Sequence, residues 1–319
     1  SGVLLPISSL PSRYGIGCFS REAYEFVDFL QKAGQRSWQI LPLGPTGYGD
    51  SPYQAFSTFA GNPYFIDLDG LVEDGLLTRE ECEAPQWSGH PAYVDYERIY
   101  NYRYPLLRKA FDRWAPDETF GEFVRNEGYW LEDYCLFMAI KESQNGALWT
   151  TWPRELRDRQ PGALQEAGER LADPIQFQRF LQYYFLKQWM KLKAYANERE
   201  VQIIGDIPIY VAFDSADSWS RPELFQFDEN NMPGAVAGCP PDGFSATGQL
   251  WGNPLYNWEY HRKTGFAWWM RRMEYCFCMY DLVRVDHFRG FDEYYAIPYG
   301  DPTAEFGHWE KGPGIEIFQ

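Results

Sequence analysis

Basic residues are outnumbered by acids in this sequence, and soft metal ligands are few. Lys and Arg together number 29 against 45 Asp and Glu, giving a net charge of −16. That deficit argues against nucleic acid and anionic membrane surfaces as partners and favours a neutral or cationic ligand. No run approaches the ~20 consecutive apolar residues of a membrane span, and no charged-then-apolar leader precedes the first strand-like segment, GVLLPI. Only four His occur, and His261, His287 and His308 lack metal-ligand spacing. The six Cys, at 18, 82, 135, 239, 276 and 278, follow no zinc or redox pattern, and Cys276 and Cys278 are too close to pair easily. The expectation is a soluble, cytoplasmic protein with reduced thiols and no metal. A GxSxG elbow and a P-loop are both missing, and no GxGxxG follows the first strand.

Aromatic residues are abundant instead: 13 Trp, 23 Tyr and 23 Phe make up 18% of the chain. A large core accounts for most of the Phe. Many Tyr and Trp, however, sit in Gly- and Pro-rich stretches such as PTGYGDSPYQ and TGQLWGNPLYNWEY. Flat rings with a polar handle, exposed along a groove, suit stacking on the apolar faces of sugar rings.

Four apolar runs read as parallel strands covered on both faces: residues 2–7, 37–43, 201–209 and 280–288. Helical patterns lie between them, at 20–34 with a Ser20 cap and a Gly34 stop, and at 175–199. Strand, helix, strand in this order predicts βαβ units and a parallel sheet. The 43–200 connection is too long for a simple crossover and carries helical segments near 103–114, 118–143 and 164–199. The domain organisation expected is therefore a barrel part formed by 1–42 and 201–319, a mainly helical inserted subdomain at 43–200, and an ordered functional loop at 210–260.

Two strands end in carboxylates, Asp206 after VQIIG and Asp286 after DLVRV. In β/α barrels the chemistry sits at the C-terminal strand ends. Arg284 and Asp286 are two apart and therefore share a face of their strand, where an opposite charge favours the ionised carboxylate. Such a carboxylate is a nucleophile or an electrostatic stabiliser, and a plain structural ion pair is the blander reading. The loop CPPDGFSATGQLWGNPLYNW brings Asp242, Gln249, Trp251 and Asn253 among helix breakers, a mixture of hydrogen-bonders and rings that suits a polyol.

As a set, LLPISSLPSRYGIG, SWQILPLGPTGYGDSPYQAFSTFAGNPYFIDL, GDIPIYVAFDSADSW, PPDGFSATGQLWGNPLYNW and VRVDHFRGFDEYYAIP resemble the 4-alpha-glucanotransferases of the amylomaltase type, in the alpha-amylase clan. The resemblance implies an α/β fold, a (β/α)8 TIM-type barrel of which this chain holds about the first four β/α units with large inserted subdomains. It implies Asp286 as nucleophile, Arg284 orienting it, and Ser51, Tyr53, Asp206, Asp242, Gln249, Trp251 and Asn253 among the sugar-binding residues, with Tyr48 at an outlying glucan groove. The reaction implied is cofactor-free retaining transfer of α-1,4-glucan segments between malto-oligosaccharides and glucose.

In that family the acid/base Glu and a stabilising Asp lie on later strands. Glu293, Glu305, Glu310 and Glu316 do not match those positions, so both groups are expected beyond Gln319. A start at Ser1 rather than Met and a half barrel with open strand edges lead to one further expectation. The rest of the barrel comes from a longer parent chain or another chain. Two other functions remain open at this point: a retaining α-glucan hydrolase, and a non-catalytic glucan-binding piece.

Overall fold

The computed structural model describes residues 1–47, 49–90 and 92–319. The elements run β1 (Gly2–Leu4), α1 (Arg21–Lys32) and β2 (Ser37–Gln39), then α2 (Leu68–Glu73), α3 (Arg79–Glu83), α4 (Tyr96–Arg113), α5 (Glu118–Ser143), α6 (Arg154–Arg157), α7 (Pro161–Arg170) and α8 (Ala172–Glu198). There follow β3 (Gln202–Pro208), α9 (Ala216–Ser220), β4 (Ala235–Cys239), β5 (Gln249–Pro254), α10 (Trp258–Lys263) and α11 (Ala267–Met279). Last come β6 (Leu282–Asp286), β7 (Glu293–Pro298) and β8 (His308–Lys311).

Four parallel strands form one sheet in the order β1-β2-β3-β6. Each is short, and each lies inside an apolar run identified in the sequence. The outward residues Val3, Trp38, Ile203, Gly205 and Ile207 meet the helices: Trp38 packs edge-on to Phe26 of α1 at 5.0 Å. Gly205 lies so close to the Tyr280 ring that a Cβ there would meet it at 2.3 Å. α8, following the long excursion, serves as the crossover into β3, and its Trp189 donates to the carbonyl of Met279 at 3.0 Å. Its tight fit needs glycine at 61, where a Cβ would meet the Phe185 ring at 2.1 Å.

The expected cover on both faces holds on the helix side and fails on the inner face, where Gln202 is exposed and Ser37, Gln39 and Ile204 are only partly buried. Trp38 and Ile203 are fully buried, whereas Leu4 of β1 and Leu282 of β6 are 55% and 47% exposed. β1 and β6 each have one neighbouring strand, so their inner-face residues lack packing partners among the described residues. The helix reading of 118–143 coincides with α5, while the continuous 164–199 helix divides into α7 and α8 at Leu171.

The largest departure lies past the strand ends. Residues 210–260, expected as loop, contribute β4 and β5 to a second, antiparallel sheet ordered β5-β4-β7-β8. A register shift between Val236 and Gly238 marks a bulge against β5. Its glycines and prolines hide strand character from a periodicity reading, since they are depleted in strands. One apolar cluster joins Val27, Trp38 and Ile203 to Leu131 and Phe137, so the helices of 43–200 share the core of the parallel sheet. A second cluster, around Tyr210, Tyr256, Trp269 and Phe291, fills the space beneath the antiparallel sheet.

Candidate active site

Register explains how the charged groups meet. In the β3–β6 pair Ile204 stands opposite Leu282, Asp206 opposite Arg284, and Pro208 opposite Asp286. Paired residues of neighbouring parallel strands point to one face, and alternate residues share it. Asp206, Arg284 and Asp286 therefore converge on the face opposite the helices. Arg284 spreads its guanidinium between the two carboxylates, with Nη1 donating to Asp206 Oδ1 at 2.7 Å and Nη2 to Asp286 Oδ1 at 2.5 Å. The Tyr53 hydroxyl donates to the other oxygen of Asp206 at 2.7 Å.

The two carboxylates differ in access. Asp206 is 1% exposed and both of its oxygens are engaged, whereas the Asp286 side chain keeps 40% of its surface open. Burial works against the Arg284 charge, but Asp206 and then Asp286 outweigh it and hold the guanidinium pKa above its ordinary value. Tyr53 is pushed up to about 12, by burial first and then by its bond to Asp206, so it stays a donor at neutral pH. The result is a fixed cation that orients an open carboxylate.

Immediately after Asp286 the chain turns through His287 at φ 56°, a left-handed conformation that costs a β-carbon residue free energy. Close packing defines this turn: a Cβ on Gly290 would meet Ile209 Cδ1 at 2.9 Å and the Tyr210 hydroxyl at 3.3 Å. The His287 ring meets Trp251 edge-on at 4.8 Å and faces Tyr210 at 6.3 Å. Burial lowers its pKa, against an opposing pull from Asp286, and its buried Nε2 has no partner among the described groups.

Around this centre the loop residues separate into two groups. Tyr53, Trp251 and Ser51 are half-buried near the carboxylates, with Ser51 Oγ accepting from Tyr53 N at 3.4 Å. Gln249 is exposed and its Oε1 accepts from Trp251 Nε1 at 3.0 Å, fixing the indole. Asp242 is exposed and folds the loop tip by accepting from Phe244 N and Ser245 N, both at 2.8 Å. Its charge, like that of Asp286, reaches the half-buried Cys239 and adds to the upward push that burial gives that thiol. Tyr48 lies outside the described residues.

Two expected sugar contacts take a different place. Asn253 is 4% exposed; it accepts from Gln54 Nε2 at 3.1 Å and donates to Val211 O at 2.7 Å. It clasps the 47–64 loop to β5 and to the segment after β3. Asp206 likewise turns inward, onto Arg284 and Tyr53. Sequence reading passed over Gln54 and Tyr210, although Gln54 stands inside the quoted DSPYQ motif and Tyr210 inside GDIPIY. The acids set aside earlier are engaged elsewhere: Glu293 with Lys311, Glu305 with Thr303, Glu310 with Tyr294 and His308, Glu316 with Arg262. Among the described residues no group of three or more His, Cys, Asp or Glu is arranged to hold a metal.

Comparison with known proteins shows the family. A family model described as 4-alpha-glucanotransferase matches residues 5–319. A 4-alpha-glucanotransferase of Streptococcus pneumoniae is 52% identical over the whole of this chain, and one of Thermus thermophilus is 50% identical. The chain spans 64% of the length of each. Among solved structures, the amylomaltase of Streptococcus agalactiae in complex with acarbose aligns with a TM-score of 0.97 at 44% identity, over 99% of this chain and 65% of that one. The amylomaltase of Corynebacterium glutamicum, 20% identical, shares the fold with a TM-score of 0.79 over 99% of this chain and 44% of its own. The parallel sheet is accordingly about the first four units of a (β/α)8 barrel, and the chain belongs to the 4-alpha-glucanotransferase family.

Proposed function

We propose that this chain carries the nucleophile side of a retaining 4-alpha-glucanotransferase site. Asp286 attacks the anomeric carbon of an α-1,4-linked glucosyl residue while the glycosidic C–O bond breaks and the leaving glucan takes a proton from a carboxylic acid. The 4-hydroxyl of a second glucan, or of glucose, then displaces Asp286 and returns its proton to that acid's conjugate base. A retaining pair of this kind stands about 5–5.5 Å apart. The partner acid and the stabilising carboxylate are assigned to residues outside the present 319, in the remaining part of the barrel. Ser51, Tyr53, Asp242, Gln249 and Trp251 are assigned to the sugar subsites, with Trp251 as stacking platform.

The observation that carries this reading is the single guanidinium spanning a buried and an open carboxylate at the C-terminal ends of two adjacent strands. The acarbose bound by the Streptococcus agalactiae neighbour supports malto-oligosaccharides as the substrate class. The six cysteines are all free, which supports a reducing, cytoplasmic setting. The same reading assigns 1–42 and 201–319 to the barrel, 210–260 to an active-site insertion within it, and 43–200 to a helical subdomain whose α8 serves the barrel as crossover. Incubating the intact polypeptide that carries these residues with maltotriose tests the activity. A ladder of longer oligosaccharides with glucose is expected; glucose and maltose without chain lengthening would make it a hydrolase, and no turnover would leave a binding role.

A further inference from the structure

A second concavity is bounded by α5, α9, α11 and residues 57–59. Its volume is about 310 Å³, at the lower end of the roughly 300–1,000 Å³ that small-molecule sites occupy. It shares no lining residue with the groups assigned to the reaction.

The walls are aromatic. Phe59 stacks on Trp130 at 6.2 Å and is met edge-on by Tyr129 at 5.7 Å and Trp268 at 6.5 Å. Trp268 is half-buried and Tyr129 is 36% exposed, so both keep ring surface available. The polar lining is Asp133, Asp217, Ser57, Ser220, Arg221 and Arg271, with Asp133 also accepting from Arg159 Nη2 at 2.5 Å. Asp217 is 5% exposed and accepts from Thr58 N and Oγ1 at 2.8 and 2.7 Å. A carboxylate has about four acceptor positions, so capacity remains for a ligand hydroxyl. Arg271 lies over the Tyr129 ring at 4.7 Å, which fixes its direction.

Ring faces together with planar acceptors and donors match a polyol with one apolar face. We propose that this cavity is a second, non-catalytic binding site for one glucosyl unit of an α-glucan chain. The sugar class rests on the function proposed above; the existence and chemistry of the pocket do not.

Calorimetric titration of maltotriose into the intact polypeptide carrying Asp286→Asn, which blocks turnover, tests the inference. Two binding components are expected. Ala267→Trp, at an exposed position of the rim, should plug the cavity, and Arg271→Ala should remove a donor. Each should weaken one component at least tenfold and leave the other unchanged. The proposal is overturned if both components survive both variants, or if glucose 6-phosphate displaces maltotriose from the component that Ala267→Trp removes. A single component insensitive to Ala267→Trp defeats only this inference; no maltotriose binding at all defeats the glucan reading of the Asp286 cleft as well.

Discussion

The ends of β3 and β6 lie side by side and hold their carboxylates in opposite ways. β3 has a strand on each side, and Asp206 at its end is 1% exposed with both oxygens bound. β6 has one neighbouring strand among the described residues, and its Asp286 leaves 40% of the side chain open. One guanidinium serves both. The same residue type on the same face is thus a fixed counter-charge in the middle of the sheet and an accessible carboxylate at its margin. Burying Asp206 is tolerable because two donors satisfy it; the anchored Arg284 then orients Asp286 without a second buried anion.

Substitutions can break this contrast. Asp286→Asn should lower the transfer rate by at least about a thousandfold while the unfolding free energy from chemical denaturation changes by less than about 0.5 kcal/mol. Asp206→Asn should show the reverse balance: a stability loss of roughly 1–3 kcal/mol from the disturbed buried bonds, and a smaller loss of rate. Equal stability losses in the two variants would erase the distinction between the strand ends. Tyr53→Phe removes one donor from Asp206 and should cost about 1 kcal/mol in chemical denaturation.

The smallest effect concerns the turn after Asp286. Burial holds His287 below its ordinary pKa of 6.5, so its neutral form contributes stability that is complete above pH 6.5 and lost as pH falls through the folded-state value. His287→Gln should therefore flatten the stability decline below about pH 6.5, by less than about 1 kcal/mol. An unchanged pH profile would place the protonation cost elsewhere.

Much of this arrangement is legible in the sequence, but only along one strand at a time. The two-residue spacing of Arg284 and Asp286 fixes their common face, because strand alternation is local. The bond from Arg284 to Asp206 spans 78 positions and depends on register, which no single strand encodes. For that reason Asp206 reads as a sugar ligand in the sequence and stands as an internal counter-charge in the structure. Asn253 and Gln54 behave likewise: a polar pair in two loops becomes a clasp only when the loops meet. The antiparallel sheet escapes notice because β4 and β5 carry glycine and proline where apolar alternation would announce strands.

The central claim, that Asp286 is the nucleophile, is tested most directly by trapping the intermediate. The intact polypeptide would be treated with a fluorinated α-glucosyl donor that slows deglycosylation, digested, and sequenced by mass spectrometry. The account predicts a glucosyl ester on Asp286, absent from Asp286→Asn; an adduct on any other residue would contradict it.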